Sequence, residues 1–245
     1  MLILLVAAPA LLPSSLARRT VNVPLSSSLS IGVIEIADWK WWEEQSIGQD
    51  AKNPHGAKLW PAAVAISQRL TMLPHGTLHG KTVLELGCGN GLCSLAAAAA
   101  GAESVIASDL SVDALGLTSE AAKAAKLTVE TRVFDLDGKE PLPDADLVIC
   151  ADLLYDDRLA ALVAVRVVEA RQRGSWVLVA DPRRGPRETF LKKMKELTPP
   201  TEPLALFDES RKVRLPQVGW KEKGVEIMSL HSPHAWHDSL RVDDC

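Results

Sequence analysis

The sequence predicts an α/β fold: a doubly wound, mostly parallel, seven-stranded sheet with an antiparallel edge. Three observations carry that expectation. From Lys81 onward, short β-branched runs alternate with segments of helical character, the pattern of a parallel sheet with helices on both faces. The runs are apolar at consecutive positions, as strands covered on both faces are. A glycine-rich turn joins the first run to the first helix after it.

The elements follow in order. TVLEL (82–86) is the first strand, and the small, apolar stretch 91–100 is a helix. SVIASDL (104–110) is followed by an Ala-rich helix over 112–125. TVETRVFD (128–135) and ADLVICAD (145–152) are the third and fourth strands. A helix with valine and leucine at three-to-four spacing covers 158–171. SWVLVADP (175–182) is the fifth strand, and a helix over 188–197 stops before Pro199-Pro200. Stretches 204–207 and 224–230 close the sheet, one of them as the antiparallel edge. Upstream, Pro61 is suited to the first turn of a helix over 61–70.

Residues 35–245 are read as one domain, and 1–34 as a separate targeting or disordered segment. The apolar run MLILLVAAPALL precedes Ser15-Leu16-Ala17, which resembles a small-residue cleavage site. No acid occurs before Glu35, while Arg18, Arg19 and six serines do. That composition suits an organelle address, mitochondrial or plastid. Without such an address the expected location is the cytoplasm.

A formal charge of −4 argues against a nucleic-acid partner. No uninterrupted apolar run is long enough to span a bilayer, so no stable membrane insertion is expected. Cys88, Cys93, Cys150 and Cys245 show no CxxC spacing and no secreted disulfide pattern. The six histidines and the carboxylates give no metal-ligand spacing, so no metal is expected. His231, His234 and His237 are evenly spaced, but Pro233 breaks any helix that would align them. The chain is expected to act as a monomer.

VLELGCGNGLCSLA (83–96) runs from strand through glycine turn to helix. Gly87, Gly89 and Gly91 permit positive φ and close ligand approach, and the new helix points N–H groups at the loop. A dinucleotide and S-adenosylmethionine both suit such a turn. Dinucleotide sites want GxGxxG, whereas the spacing here is GxGxG, with Glu85 two residues before the first glycine. That carboxylate would repel a pyrophosphate and attract the aminoacyl end of S-adenosylmethionine. Asp109 closes the second strand and can accept from ribose hydroxyls. Asp135 closes the third and can accept from the adenine amine. Acids at successive strand ends share the carboxyl edge of the sheet, where ligands bind.

CADLLYDD (150–157) ends the fourth strand beside the expected methyl group. Asp152-x-x-Tyr155, together with ELGCGNG (85–91) and GAKLWPAA (56–63), resembles the protein-lysine methyltransferases of the seven-β-strand class, methyltransferase family 16-like. VLVADPRRGPRETF (177–190) is most similar to the branch that modifies the electron transfer flavoprotein β subunit. The resemblance implies S-adenosylmethionine as cofactor, Trp60 in its pocket, and Asp152 and Tyr155 as catalytic residues flanking the acceptor amine. It implies a protein substrate bearing the lysine. A lysine amine has pKa ~10.4 and must lose a proton before it can attack. Asp152, which favours the ammonium, is therefore expected to recruit and align rather than act as a strong base. Two other readings keep the fold: a small-molecule amine N-methyltransferase, and a catalytically silent binding protein. Trp39, Trp41 and Trp42 read as a packed lid or brace. The basic stretch 183–195 reads as a solvated helix face or a docking surface for an acidic partner.

Overall fold

A computed structural model describes residues 16–46, 54–199 and 206–230. Its central sheet has seven strands: β3 (Thr82–Leu86), β4 (Ser104–Asp109), β5 (Glu130–Val133), β6 (Leu147–Ala151), β7 (Trp176–Asp181), β8 (Leu206–Leu215) and β9 (Trp220–Leu230). Their order is β5-β4-β3-β6-β7-β9-β8. β5 to β7 pair in parallel, and β9 runs antiparallel to both β7 and β8. The expected fold class, antiparallel edge included, is the observed one. The closing strands are longer than 204–207 and 224–230 suggested, because charged residues on an edge hairpin hide its alternation: β8 carries DESRK.

The winding direction reverses at β3, which is flanked by β4 on one side and β6 on the other. That switch point opens a crevice at the carboxyl ends of the strands. Successive residues of the central strands feed two separate cores. Val83, Leu147, Ile149, Trp176 and Leu178 face one; Leu84, Val148, Cys150, Val177 and Val179 face the other. Five helices cover the sheet: α2 (Pro61–Thr71), α3 (Leu92–Ala99) and α4 (Val112–Ala125) join the first core, α5 (Asp157–Gln172) and α6 (Pro186–Leu197) the second. Their starts are legible. Ser111 Oγ accepts from Ala114 N–H, and Asp156 Oδ1 accepts from Leu159 N–H, each capping one of the orphan donors of a new helix.

The expected boundary at residue 35 is corrected. β1 (Arg18–Pro24) and β2 (Ser30–Ile36) form an antiparallel hairpin, Arg18 opposite Ile36. Val21, Val23, Ile31, Val33 and Ile36 are buried in the same core as α2, α3 and α4. Serine-rich, acid-poor composition pointed away from folded structure, but alternating Thr20-Val-Asn-Val23 buries one face and solvates the other. The targeting expectation otherwise rests on residues 1–15, and the histidines 231–237 lie beyond 230; both fall outside the described residues. α1 (Trp39–Ser46) splits its tryptophans: Trp42 joins the core, while Trp41 is exposed.

Candidate active site

The crevice at the carboxyl edge holds a cavity of about 250 Å³. Its floor is the glycine loop. Gly87, Gly89 and Gly91 all have positive φ. At Gly87 the requirement is twofold, because an added Cβ would lie 2.4 Å from Leu153 Cδ2. Gly87 and Gly89 line the cavity; Gly91 does not. It stands behind the loop at the start of α3, where a Cβ would strike Thr118 at 2.4 Å. The expectation that Gly91 touches the cofactor is therefore replaced by a packing role.

The three acids reach the cavity with different degrees of freedom. Glu85 is 1% exposed and accepts from Ser94 N–H (2.8 Å) and Ser94 Oγ–H (2.5 Å). Burial pushes its carboxyl up to about 7, against the pull of those donors. Asp109 ends β4 and accepts from Gly89 N–H (2.9 Å) and Ser111 N–H (2.8 Å). It thereby fixes the loop as well as lining the cavity, and burial raises its carboxyl despite both amides. Asp135 lies two residues beyond β5, which ends at Val133. Its expected place at a strand end is corrected: the β4–β5 ladder closes one residue earlier with Phe134 N–H donating to Asp109 O (3.0 Å), and Asp135 Oδ1 accepts from Asp137 N–H in an exposed turn. It still lines the cavity.

Asp152 departs most from expectation. Its φ is +58°, and its side chain is 4% exposed. Oδ2 accepts from Ala62 N–H (2.8 Å), in the first turn of α2, and Oδ1 accepts from Arg184 Nη1 (2.7 Å). Trp60, the residue before α2, offers no side-chain cap, so Asp152 supplies one from across the fold. Burial raises its carboxyl, although Ala62 and Arg184 both favour the anion. The carboxylate expected to face the acceptor amine is thus already held by Arg184 and the Ala62 amide. Asp156 caps α5, and α2 is the helix that Asp152 holds.

Tyr155 is 38% exposed at the cavity mouth. Its ring meets the ring of His55 at 5.5 Å and 63°. His55 in turn meets Trp60 at 6.0 Å, and Trp60 Nε1–H donates to His55 O (2.8 Å). Burial lowers the His55 pKa, Glu43 opposes the shift and Arg184 adds to it. Arg184 also sits over the Trp60 ring, 5.9 Å from its centroid. His55, Lys58, Asn90, Phe134 and Arg184 were not singled out for this site from the sequence. Asn90 had a usable signal in its place inside the glycine loop; the others converge only in three dimensions. The basic stretch 183–195 is partly consumed internally: Arg183 pairs with Glu226, Arg184 with Asp152 and Arg187 with Asp181.

The residues present fit S-adenosylmethionine. Asn90 Nδ2 is a buried donor without a partner among the described residues, in a side chain that lines the cavity. The Gly87 and Gly89 backbone is bare where a side chain would intrude. Acidic groups suit a ligand with ammonium, sulfonium and hydroxyl groups. Leu110, Phe134 and Leu136 give apolar walls of the kind a purine needs.

The chain is similar to known methyltransferases. A family model described as lysine methyltransferase matches residues 42–197. The electron transfer flavoprotein β-subunit lysine methyltransferase of Xenopus laevis is 33% identical over 136 residues, 54% of this chain and 54% of its own. That of Danio rerio is 30% identical over 158 residues, 59% of this chain and 56% of its own. The chain spans about half the length of these curated relatives. Among solved structures, a candidate RNA methyltransferase from Pyrococcus horikoshii superposes with a TM-score of 0.54 at 19% identity, covering 79% of this chain and 96% of that one. At that identity the likeness speaks for the fold.

Proposed function

The chain belongs to the lysine methyltransferase family, whose cofactor is S-adenosylmethionine, and on that premise we propose that it transfers a methyl group to a lysine amine of a protein substrate. The observation that carries the reading is the meeting of the glycine loop and its three acids with the Asp152–Tyr155 rim in one cavity. Glu85 and Asn90 would hold the aminoacyl end, Asp109 the ribose hydroxyls, and Asp135 with Phe134 the adenine. When bound, S-adenosylmethionine supplies a methyl group on a sulfonium, a good leaving group that requires no metal.

Tyr155, His55 and Trp60 form an aromatic wall along the route of the acceptor side chain. Such rings attract a cationic head by about 0.5–2 kcal/mol. Asp152 acts as a positioning residue: it fixes the start of α2, and so Trp60, and it holds Arg184 over the indole. Orientation of amine and methyl group in line supplies most of the rate, on the order of 7–11 kcal/mol. The names of the relatives make the electron transfer flavoprotein β subunit the first acceptor to try.

The test is incubation of the purified chain with methyl-labelled S-adenosylmethionine and either that subunit or fractionated lysate. Mass spectrometry then locates the label. Label on a lysine supports the reading. Label only in the small-molecule fraction overturns it in favour of an amine N-methyltransferase.

A further inference from the structure

Lys58 is the only lysine among the described residues that lines the cavity. It follows the short 3-10 helix Pro54–Ala57 and precedes α2 by three positions. Its backbone neighbourhood is fixed: Ala57 and Leu59 are buried, and Leu59 N–H donates to the buried Glu35 carboxylate (2.5 Å), which Arg19 also holds (2.7 Å). Lys58 is left half-buried between two anchored residues, with its side chain at the cavity. Its ammonium lies 4.4 Å from the centroid of Trp39 and 5.5 Å from that of Trp60. Trp60 is the ring that also contacts His55, which contacts Tyr155. A lysine of the protein's own chain therefore stands along the aromatic wall assigned above to the incoming acceptor.

We propose that Lys58 is a self-modification site: the protein methylates this lysine within its own chain. The inference rests on the lysine-methyltransferase reading and adds a substrate to it. In the step, the Lys58 ammonium first loses a proton to solvent. The neutral nitrogen forms a bond to the methyl carbon as the carbon–sulfur bond of S-adenosylmethionine breaks. S-adenosylhomocysteine leaves with the electron pair of that bond, and the positive charge passes from sulfur to nitrogen, giving the secondary ammonium directly. Methylation retains the positive charge, and methylated ammonium groups are favoured in aromatic cages. The product can therefore stay between Trp39 and Trp60. A flexible four-carbon stem gives the amine the reach, and attachment to the same chain gives it a high effective concentration.

The test uses the full chain, S-adenosylmethionine and peptide mapping by mass spectrometry, in parallel with an acceptor-protein assay. The expected result is methyl on Lys58, at a fractional rate that does not change when the protein is diluted tenfold. K58R should remove the label from that peptide. A second readout is independent of turnover: if Trp39 and Trp60 cage the cation, the Lys58→Met variant should change tryptophan emission relative to the parent. Three results would overturn the proposal: methylated acceptor protein with unmodified Lys58, Lys58 label whose fractional rate falls with dilution, or label in K58R at another lysine equal to the parent total. Absence of lysine methylation on every protein, Lys58 included, would instead defeat the underlying functional reading.

Discussion

Asp152 and Arg184 form an ion pair of 2.7 Å, with the carboxylate almost fully buried and its second oxygen on the Ala62 amide. One aspartate at the end of β6 thus joins the start of α2 to the segment after β7. The Asp-x-x-Tyr element is a structural junction as well as part of the cavity lining.

Replacing Asp152 should therefore cost stability as well as turnover. D152A strands the Ala62 amide and the Arg184 guanidinium, a loss of about 1–3 kcal/mol. D152N keeps an acceptor for the amide and should retain more of that stability while losing the charge pairing. Denaturant melts of the two variants, alongside calorimetric titration with S-adenosylhomocysteine, check this. Cofactor binding lost from D152N with stability intact would contradict a positioning role.

Glu85 makes folding depend on pH. Its carboxyl rises from 4.5 to about 7 on folding. Between those values the folded state holds a proton that the unfolded chain has released. The stabilisation is complete below pH 4.5 and is lost as the pH rises through about 7. E85Q, which cannot ionise, should flatten the stability profile over that window. A cationic ligand favours the ionised form, so S-adenosylmethionine affinity should increase through the same window with release of a proton. Calorimetry in buffers of different ionisation enthalpy measures that proton.

Gly87→Ala should be severe. A Cβ there combines φ of +61° with a 2.4 Å approach to Leu153. Left-handed strain and overpacking together cost about 2–4 kcal/mol. Because Leu153 also lines the cavity, S-adenosylhomocysteine binding should weaken by at least tenfold. Thermal melts and calorimetry provide both numbers.

Deleting residues 1–36 should prevent stable folding. The hairpin buries Val21, Val23, Leu25, Ile31, Val33, Ile34 and Ile36. Each fully buried side chain contributes roughly 1.5–3 kcal/mol, and the sum rivals the 5–15 kcal/mol that holds a typical domain. Circular dichroism of the truncated chain against the parent checks this.

The sequence by itself determined the sheet, its five parallel strands, the glycine loop and three acids that line one cavity at the sheet's edge. Those features are written in local periodicity and in short spacings, because the neighbours that matter lie within one strand–turn–helix unit. Tertiary structure decided the rest. Asp152 finds Ala62 at a separation of 90 positions and Arg184 at 32, and Lys58 finds Trp39 across an intervening segment. The β1–β2 hairpin buries its apolar face in the core it shares with α2, α3 and α4. Such contacts arise where distant segments meet at one sheet edge, and no repeating pattern along the chain records them. What a side chain is able to do was legible from its type; whether its charge is free or already satisfied was fixed by the groups that folding brings to it.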